Sequence, residues 1–283
     1  MSAFVQMPKL DLCRAFPSDV PSEELTAYAA GMRTAWQADG VLHAEVAVDL
    51  RAWSEPVVAL RAIAAGLAEP DDERPWSHAI HLVVATAAEP WLEWVEDAEV
   101  TTVRGLLAPD GADLPALAPL WREATARGWL RLVHAESQLQ LKGAFSLGFD
   151  RLLGGSGLLR EPALLAHLRI HRVAVQLSPS AQVATGAVAS SAQHPLRRLA
   201  EAGVPTVVGS AWPLAVAPSL SVELEHIARH HHWRLEDLRS LMARNAEAAA
   251  LAPEKRFGVA RLVESWRHRP HAAPAAKGDG WSL

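Results

Sequence analysis

The sequence predicts an α/β fold of the (β/α)8 TIM-type barrel class, somewhat reduced in size and followed by extra C-terminal helices. Short β-branched runs alternate with longer amphipathic stretches along most of the chain, which is typical of βα units around a parallel sheet. The strand candidates are almost continuously apolar, as expected for strands that are buried on both faces. The chain has 283 residues, which is enough for one barrel.

Seven strands and the helices between them can be placed from these patterns. Strands are expected at residues 10–15, 42–50, 78–86, 100–107, 130–134, 173–177 and 205–209. Helices are expected at residues 23–38, 55–67, 90–96, 114–127, 161–172 and 194–202. An eighth strand is expected between residues 154 and 159 on a weaker pattern. A total of eight strands favours a barrel over an open doubly wound sheet.

Three further helices are expected after the last strand, at residues 219–231, 235–250 and 253–266. No linker-like segment divides the chain, so residues 1–266 are predicted to form a single barrel domain. Residues 267–283 are rich in Pro, Ala and Gly and are predicted to be a disordered tail.

Composition excludes several classes of partner. The formal net charge of −5 gives no electrostatic basis for binding nucleic acid or an anionic membrane surface. The single cysteine, Cys13, rules out an intramolecular disulfide and fits a reducing compartment. The sequence shows no signal peptide and no apolar run of the roughly 20 residues that span a bilayer, so a cytoplasmic location is expected.

Four segments together carry a resemblance to a known family. They are MPKLDLCRAF at residues 7–16, LRLVHAES at 130–137, LSPSAQVATGAV at 177–188 and HPLRRLAEAGVPTVVGSAWP at 194–213. In the same order, they resemble P-K-x-E-L-H-x-H-L, H-A-G-E, C-P-x-S-N-x-x-T-G-A-V and the final HPLRRL-to-S-D-D-P unit of the adenosine deaminase family. The resemblance implies a barrel with its site at the C-terminal ends of the strands.

The resemblance also implies where a zinc ion would be bound. The family takes its ligands from H-x-H, from the histidine of H-A-G-E and from the first aspartate of S-D-D-P. Here Cys13 and Ala15 occupy the H-x-H positions, His134 is retained, and Ala211 stands at the aspartate position. A catalytic zinc usually has three protein ligands and a water, so neither a metal nor another cofactor is expected.

The proton-transfer residues that the resemblance implies are also replaced. The glutamate of H-A-G-E corresponds to Ser137. The family's R-I-G-H-G motif corresponds to residues 151–155, with Gly154 at the histidine position, and no histidine occurs between residues 137 and 165. We therefore do not expect this chain to deaminate adenosine.

Two residues are candidates for catalysis. His134 and Glu136 are two positions apart at the end of a strand, so both could face the same side. Glu136 could then orient His134 as a metal-free general base. The alternative is that His134 is a remnant of ancestry whose ring nitrogens are satisfied by hydrogen bonds.

Four other residues are candidates for ligand binding at the barrel mouth, namely Cys13, Arg14, Glu45 and Trp212. Trp212 could stack on a planar ligand, or it could fill the space that metal and substrate would occupy. Glu45 has an alternative role as a buried partner of the opening strand.

These observations favour a zinc-free pseudo-deaminase that is retained for binding. Its ligand would be a small nucleoside-like molecule or a protein partner, including an active paralogue or a second copy of the chain. The alternative is a repurposed, metal-independent enzyme, for example one that catalyses a biosynthetic step. A third reading is a residual hydrolase that holds a metal through a different set of ligands.

Overall fold

The computed structural model describes residues 3–68, 76–210 and 218–267. Within them, eight parallel strands form one sheet in which spatial order follows chain order. The strands are β1 (Lys9–Ala15), β2 (Val41–Val48), β3 (Ser77–Val83), β4 (Val103–Ala108), β5 (Leu130–Ala135), β6 (Arg151–Gly154), β7 (Ala174–Leu177) and β8 (Thr206–Val208). The predicted (β/α)8 barrel class is confirmed.

Helices alternate with the strands and cover the outside of the sheet. They are α1 (Ala3–Gln6), α2 (Leu25–Ala38), α3 (Pro56–Leu67), α4 (Trp91–Ala98), α5 (Ala118–Ala126), α6 (Gln138–Leu147), α7 (Pro162–Ile170), α8 (Pro179–Ala184), α9 (Leu196–Glu201), α10 (Leu220–His231), α11 (Leu235–Ala248) and α12 (Pro253–Ser265). Among the described residues, no helix is long and apolar enough to cross a membrane. The cytoplasmic location stays a prediction.

The eighth strand lies earlier in the chain than the sequence pattern indicated. It is β6, Arg151–Gly154, whereas the expected strand at residues 154–159 was wrong. Gly154 and Gly155 have φ angles of +87° and +76°, which are accessible to glycine and turn the chain out of the sheet. Helix α6, which precedes β6, was also not anticipated.

Two other sequence expectations are not decided by the structure. The assignment of residues 1–266 to a single domain stays a prediction. The expected tail at residues 267–283 lies, apart from Arg267, outside the described residues.

A side chain from α11 joins the two edge strands, β1 and β8. The amide of the fully buried Asn245 donates to the carbonyl oxygens of Leu10 at 2.9 Å and Val208 at 2.7 Å. Its own oxygen accepts the Val208 N–H at 3.0 Å. Asn245 thereby satisfies strand groups that would otherwise be buried without partners, and α11 helps to close the barrel.

The lumen holds layers of side chains, because alternate residues of each strand face inward. One layer is polar and contains Glu45, His81, Arg151 and Gln176, all buried. Two residues further along β2, β3 and β6, toward the C-terminal ends, the lumen becomes apolar. This second layer consists of Cys13, Ala15, Ala47, Val83, Leu107, Leu132 and Leu153.

Glu45 is the centre of the polar layer. Its carboxylate accepts hydrogen bonds from Arg151 Nη1 at 2.6 Å, Arg151 Nη2 at 3.1 Å, His81 Nε2 at 2.9 Å and the Ala250 N–H at 2.7 Å. Burial alone would raise the pKa of Glu45, but Arg151 and His81 outweigh it and hold the pKa well below the usual range. Arg151 also donates to the Ala248 carbonyl, so this pair links β2, β3 and β6 to the end of α11.

Replacing Glu45 with Gln should therefore destabilise the fold strongly. The substitution leaves the Arg151 guanidinium buried without a counter-charge, which typically costs about 3 to 5 kcal/mol. Asp49→Asn is the matched control, because Asp49 pairs with Arg51 at 2.7 Å near the surface, and such pairs contribute roughly 0 to 1 kcal/mol. Urea unfolding measures both, and equal small losses would contradict the proposed role of the buried pair.

Candidate functional site

His134 and Glu136 lie close together at the C-terminal end of β5. His134 Nε2 is 3.9 Å from Glu136 Oε1, which is electrostatic contact but longer than a hydrogen bond. The His134 side chain is 11% exposed and that of Glu136 is 18% exposed. The geometry is compatible with both of the roles expected for His134, a general base or a structural remnant.

Neighbouring loops hold the Glu136 carboxylate in place. Its Oε2 accepts the Ser156 N–H at 3.0 Å, and its Oε1 accepts Gln182 Nε2 at 2.9 Å. Burial alone would raise the pKa of Glu136, but interactions with His134, Ser156 and Gln182 lower it below the usual value. Glu136 is therefore ionised at neutral pH.

Gln182 connects Glu136 to a second buried histidine. Its Oε1 accepts His194 Nε2 at 3.0 Å and the Ser178 N–H at 3.2 Å. His194 Nδ1 accepts the Leu196 N–H at 3.2 Å, so the ring is neutral with its proton on Nε2. Burial, together with the nearby His231, lowers the pKa of His194 to about 3.

Sequence reasoning did not single out Ser156, Gln182 or His194. Gln182 and His194 lie in the segments at residues 177–188 and 194–213, whose resemblance was noted only as a pattern. Both side chains are almost fully buried. The available signal was a polar residue within a largely apolar segment, because a polar group that becomes buried there requires a hydrogen-bond partner.

The Glu136 side chain fills the space beside Gly154. A Cβ atom at position 154 would lie 2.6 Å from Glu136 Oε1 and 3.2 Å from the Ala135 carbonyl oxygen. Gly154 also has a φ of +87°, which most side chains avoid. The residue pair Glu136 and Gly154 therefore packs as a unit, and no side chain at position 154 fits while Glu136 keeps its position.

The space next to this pair is very small. In the described part of the chain, a cavity of about 10 Å³ is lined by His134, Glu136, Leu153, Gly154, Gln176, Ser178 and Gln182. A cavity of this size holds about one water molecule. Ligand pockets for small molecules typically measure roughly 300 to 1,000 Å³.

Cys13 belongs to the apolar layer of the lumen. It lies in an irregular part of β1, between Asp11 and Arg14, where the register with β2 shifts, and its φ is +54°. Burial, with a further contribution from Glu45, raises the pKa of the Cys13 thiol. The thiol is therefore protonated at neutral pH, whereas metal binding and nucleophilic attack require the thiolate.

Arg14 points to a different part of the molecule from His134. Its guanidinium carbon lies 5.8 Å from the ring centre of Trp36. Arg14 lines a mainly apolar cavity of about 340 Å³ between β1 and α2. On the same side, the buried Asp11 accepts hydrogen bonds from Trp36 Nε1 at 2.8 Å and from Ser210 Oγ at 2.6 Å.

Among the described residues that were predicted for the site, Glu45 is not brought together with His134. Glu45 lies in the polar layer, and its partners come from β3, β6 and the segment after α11. Trp212 and Ala211 lie outside the described residues. Ligand binding by Cys13, Arg14, Glu45 and Trp212, and catalysis by His134 and Glu136, all stay predictions.

Within residues 3–68, 76–210 and 218–267, no group of three or more His, Cys, Asp or Glu side chains is arranged to hold a metal ion. At the H-x-H positions, Cys13 carries a protonated thiol and Ala15 has no donor atom. His134 is the one imidazole among the positions that the resemblance assigns to zinc. A catalytic zinc usually has three protein ligands, and these positions offer one imidazole, so the expected loss of the zinc site stays a prediction.

Comparison with protein families matches residues 111–266 to the model described as adenosine deaminase. An aminodeoxyfutalosine deaminase of Streptomyces coelicolor is 30% identical over 167 residues, which are 57% of this chain and 43% of that protein. The corresponding protein of Streptomyces avermitilis is 26% identical over 167 residues, 57% of this chain and 47% of that protein. The chain thus spans less than half the length of these curated relatives.

Solved structures show the same barrel. An adenine deaminase from Arthrobacter aurescens superimposes with a TM-score of 0.78 at 18% identity, covering 87% of this chain and 80% of that one. Arabidopsis ADAL complexed with GMP superimposes with a TM-score of 0.79 at 12% identity, covering 94% of this chain and 98% of that one. At these identities the likeness shows the fold alone.

The neutral state of His194 predicts that stability decreases in mild acid. Its pKa is about 3 in the fold and about 6.5 when exposed, so the unfolded chain takes up the proton first as the pH falls. By linkage, this one group lowers the free energy of unfolding by about 2 kcal/mol between pH 7 and pH 5. Urea unfolding at several pH values should show this loss, and His194→Gln should reduce it.

His171→Gln changes an exposed histidine after α7 and is the matched control for His194→Gln. It is expected to retain the wild-type pH dependence. An identical pH dependence in wild type and His194→Gln would show that His194 is not kept neutral by burial.

The packing of Glu136 against Gly154 predicts a coupled pair of substitutions. Gly154→Ala should cost roughly 2 to 4 kcal/mol through left-handed backbone strain and the clash with Glu136. In a Glu136→Ala background the clash is removed, and the same change should cost about 1 to 2 kcal/mol less. Urea unfolding of the four proteins in the cycle measures the coupling.

Gly128→Ala is the control for backbone strain, because Gly128 also has a positive φ, +67°, but nothing lies within 4 Å of its Cβ position. Its cost should be the same with and without Glu136. Additive effects of Gly154→Ala and Glu136→Ala would refute the packing interpretation.

Proposed function

We propose, since the chain belongs to the adenosine deaminase family, that it is a zinc-free member whose barrel is retained for binding rather than for deamination. The observation that carries this proposal is the cavity of about 10 Å³ beside His134. It is far smaller than the pockets of roughly 300 to 1,000 Å³ that hold small molecules. The described residues leave beside His134 a cavity that holds about one water molecule, which argues against a nucleoside there.

The chemistry of the residues at the zinc positions supports the same conclusion. Ala15 and Ala211 have no donor atoms. Burial raises the pKa of Cys13, and its thiol lies among apolar side chains that would not solvate a divalent cation. One histidine does not hold a catalytic zinc, so no reaction step is assigned to a metal.

The class of binding partner follows from the same geometry. The family is described as adenosine deaminase and the curated relatives as aminodeoxyfutalosine deaminases, which supports a nucleoside-like ligand as one alternative. The small cavity beside His134 argues against such a ligand and favours a protein partner, either a catalytically active paralogue or a second copy of this chain.

A second candidate function is a metal-independent enzyme, for example one that catalyses a biosynthetic step. The observation that favours it is the ionised Glu136 carboxylate, which lies 3.9 Å from His134 Nε2 and could orient that ring as a general base. The protonated thiol of Cys13 and the position of Arg14 against Trp36 argue against including these two residues in such a mechanism.

Zinc content and ammonia release test the leading proposal directly. After dialysis against a mild chelator, purified protein is expected to contain far less than one zinc per chain. With adenosine or aminodeoxyfutalosine as substrate and zinc added back, no ammonia release above the buffer rate is expected. Stoichiometric zinc that survives dialysis, or release of ammonia that depends on the protein, would refute it.

His134→Ala separates binding from metal-independent catalysis. If the barrel acts by binding, the variant should retain partner capture in a pull-down with the active paralogue. If His134 is a general base, the same variant should lose about 10² to 10⁴-fold in rate on the enzyme's substrate. His171→Ala, which changes an exposed histidine after α7, is the matched control and should alter neither measurement.

A further inference from the structure

A larger cavity lies at the opposite face of the barrel from His134. It has a volume of about 560 Å³ and is formed where β5, β7 and β8 begin. The loop before β8 and the helices α11 and α12 complete its walls. The N-terminal face of a barrel usually serves stability rather than chemistry, so a cavity of ligand size there requires a separate explanation.

The cavity is positively charged although the chain as a whole carries a net charge of −5. Arg172, Arg244 and Arg256 line it. The carboxylate of Asp150 also lines it but is neutralised by Arg131, which binds it through Nε at 3.0 Å and Nη2 at 2.9 Å. Glu247 is the remaining acidic residue in the lining and is exposed.

Several donors in the lining lack acceptors among the described residues. Arg256 Nε is buried and makes no hydrogen bond, and the hydroxyl of the fully buried Thr206 also has no partner. Arg244 uses its Nε to bind the Thr206 carbonyl oxygen at 3.1 Å, which leaves its two terminal nitrogens for another acceptor. Charge-assisted hydrogen bonds from these two terminal nitrogens would stabilise an anion in the cavity.

Electrostatics agrees with this requirement. Burial lowers the pKa of Arg244, with Glu247 and Asp237 acting in the opposite direction. A bound anion would offset the free-energy cost of burying the charged Arg244 guanidinium. The other walls, including Leu130, Val204 and Val207, are apolar and could contact an uncharged organic group.

We propose that this cavity binds a small organic phosphate monoester, with Arg244 and Arg256 holding the phosphate and the apolar wall contacting the rest of the molecule. A phosphate monoester carries up to two negative charges and three terminal oxygens, which suits several guanidinium groups better than a carboxylate does. The site is distinct from the barrel mouth and does not depend on the proposed function.

Calorimetric titration of the full chain tests the proposal, with adenosine 5′-monophosphate as the organic probe and inorganic phosphate as the minimal one. Both are expected to bind saturably at constant ionic strength. Arg256→Gln should weaken binding of each by about ten-fold or more, since hydrogen bonds to charged groups typically contribute about 1.5 to 3 kcal/mol. Adenosine, which lacks the phosphate, should not displace inorganic phosphate.

Arg261→Gln is the matched control, because Arg261 lies on the same helix and its guanidinium carbon is 5.7 Å from the Phe257 ring, outside the cavity lining. It should leave both affinities within about two-fold. If Arg256→Gln does not fold, as judged by circular dichroism, Arg244→Gln replaces it and should show the same loss.

Three results would overturn the proposal. They are the absence of saturable binding, equal weakening by Arg256→Gln and Arg261→Gln, and nucleotide binding that survives substitution of Arg256 and Arg244. The last result would place the nucleotide elsewhere on the protein. None of these results bears on zinc content or ammonia release, so the two proposals fail independently.

Discussion

The buried ion pair between Glu45 and Arg151 is the constraint on which the barrel depends. Removing both charges from water is costly, and the two hydrogen bonds between them, with further bonds from His81 and Ala250, offset that cost. These bonds hold three strands and the end of α11 in one register. The apolar layer above packs on this fixed base, and the shape of the barrel mouth follows from it.

Among the described residues at the barrel mouth, the Glu136 and Gln182 side chains and the His194 ring have hydrogen-bond partners within the protein. Glu136 is bound by Ser156 and Gln182, and Gln182 is bound in turn by His194. A polar network in which the members have partners is rigid and needs no bound ligand to complete it. Such a network differs from that of a typical enzyme pocket, where polar groups point into open space. The cavity at the N-terminal face differs, because among the described residues in its lining Arg256 Nε and the Thr206 hydroxyl have no hydrogen-bond partner.

The barrel could be predicted from the sequence because alternating strand and helix patterns extend over most of the chain. β6 could not be placed, since it has four residues and ends in glycines that resemble a loop. The Gln182 bond to Glu136 joins residues 46 positions apart, which no local pattern reveals. Arg14 alternates with Cys13 and Ala15, which face the lumen, so its side chain lies on the α2 side of β1, and its role in ligand binding stays a prediction.

Closure of the sheet by Asn245 has a consequence for how the chain folds. Asn245 and Leu10 are 235 residues apart in the sequence. During synthesis, the outer edge of β1 therefore stays uncovered until α11 has been made. Open edges present unpaired backbone groups to other chains and promote aggregation. A circular permutant that begins at α10 and runs through α11 and α12 into β1 would bring the closing helix next to the first strand early, and should fold faster with less aggregation.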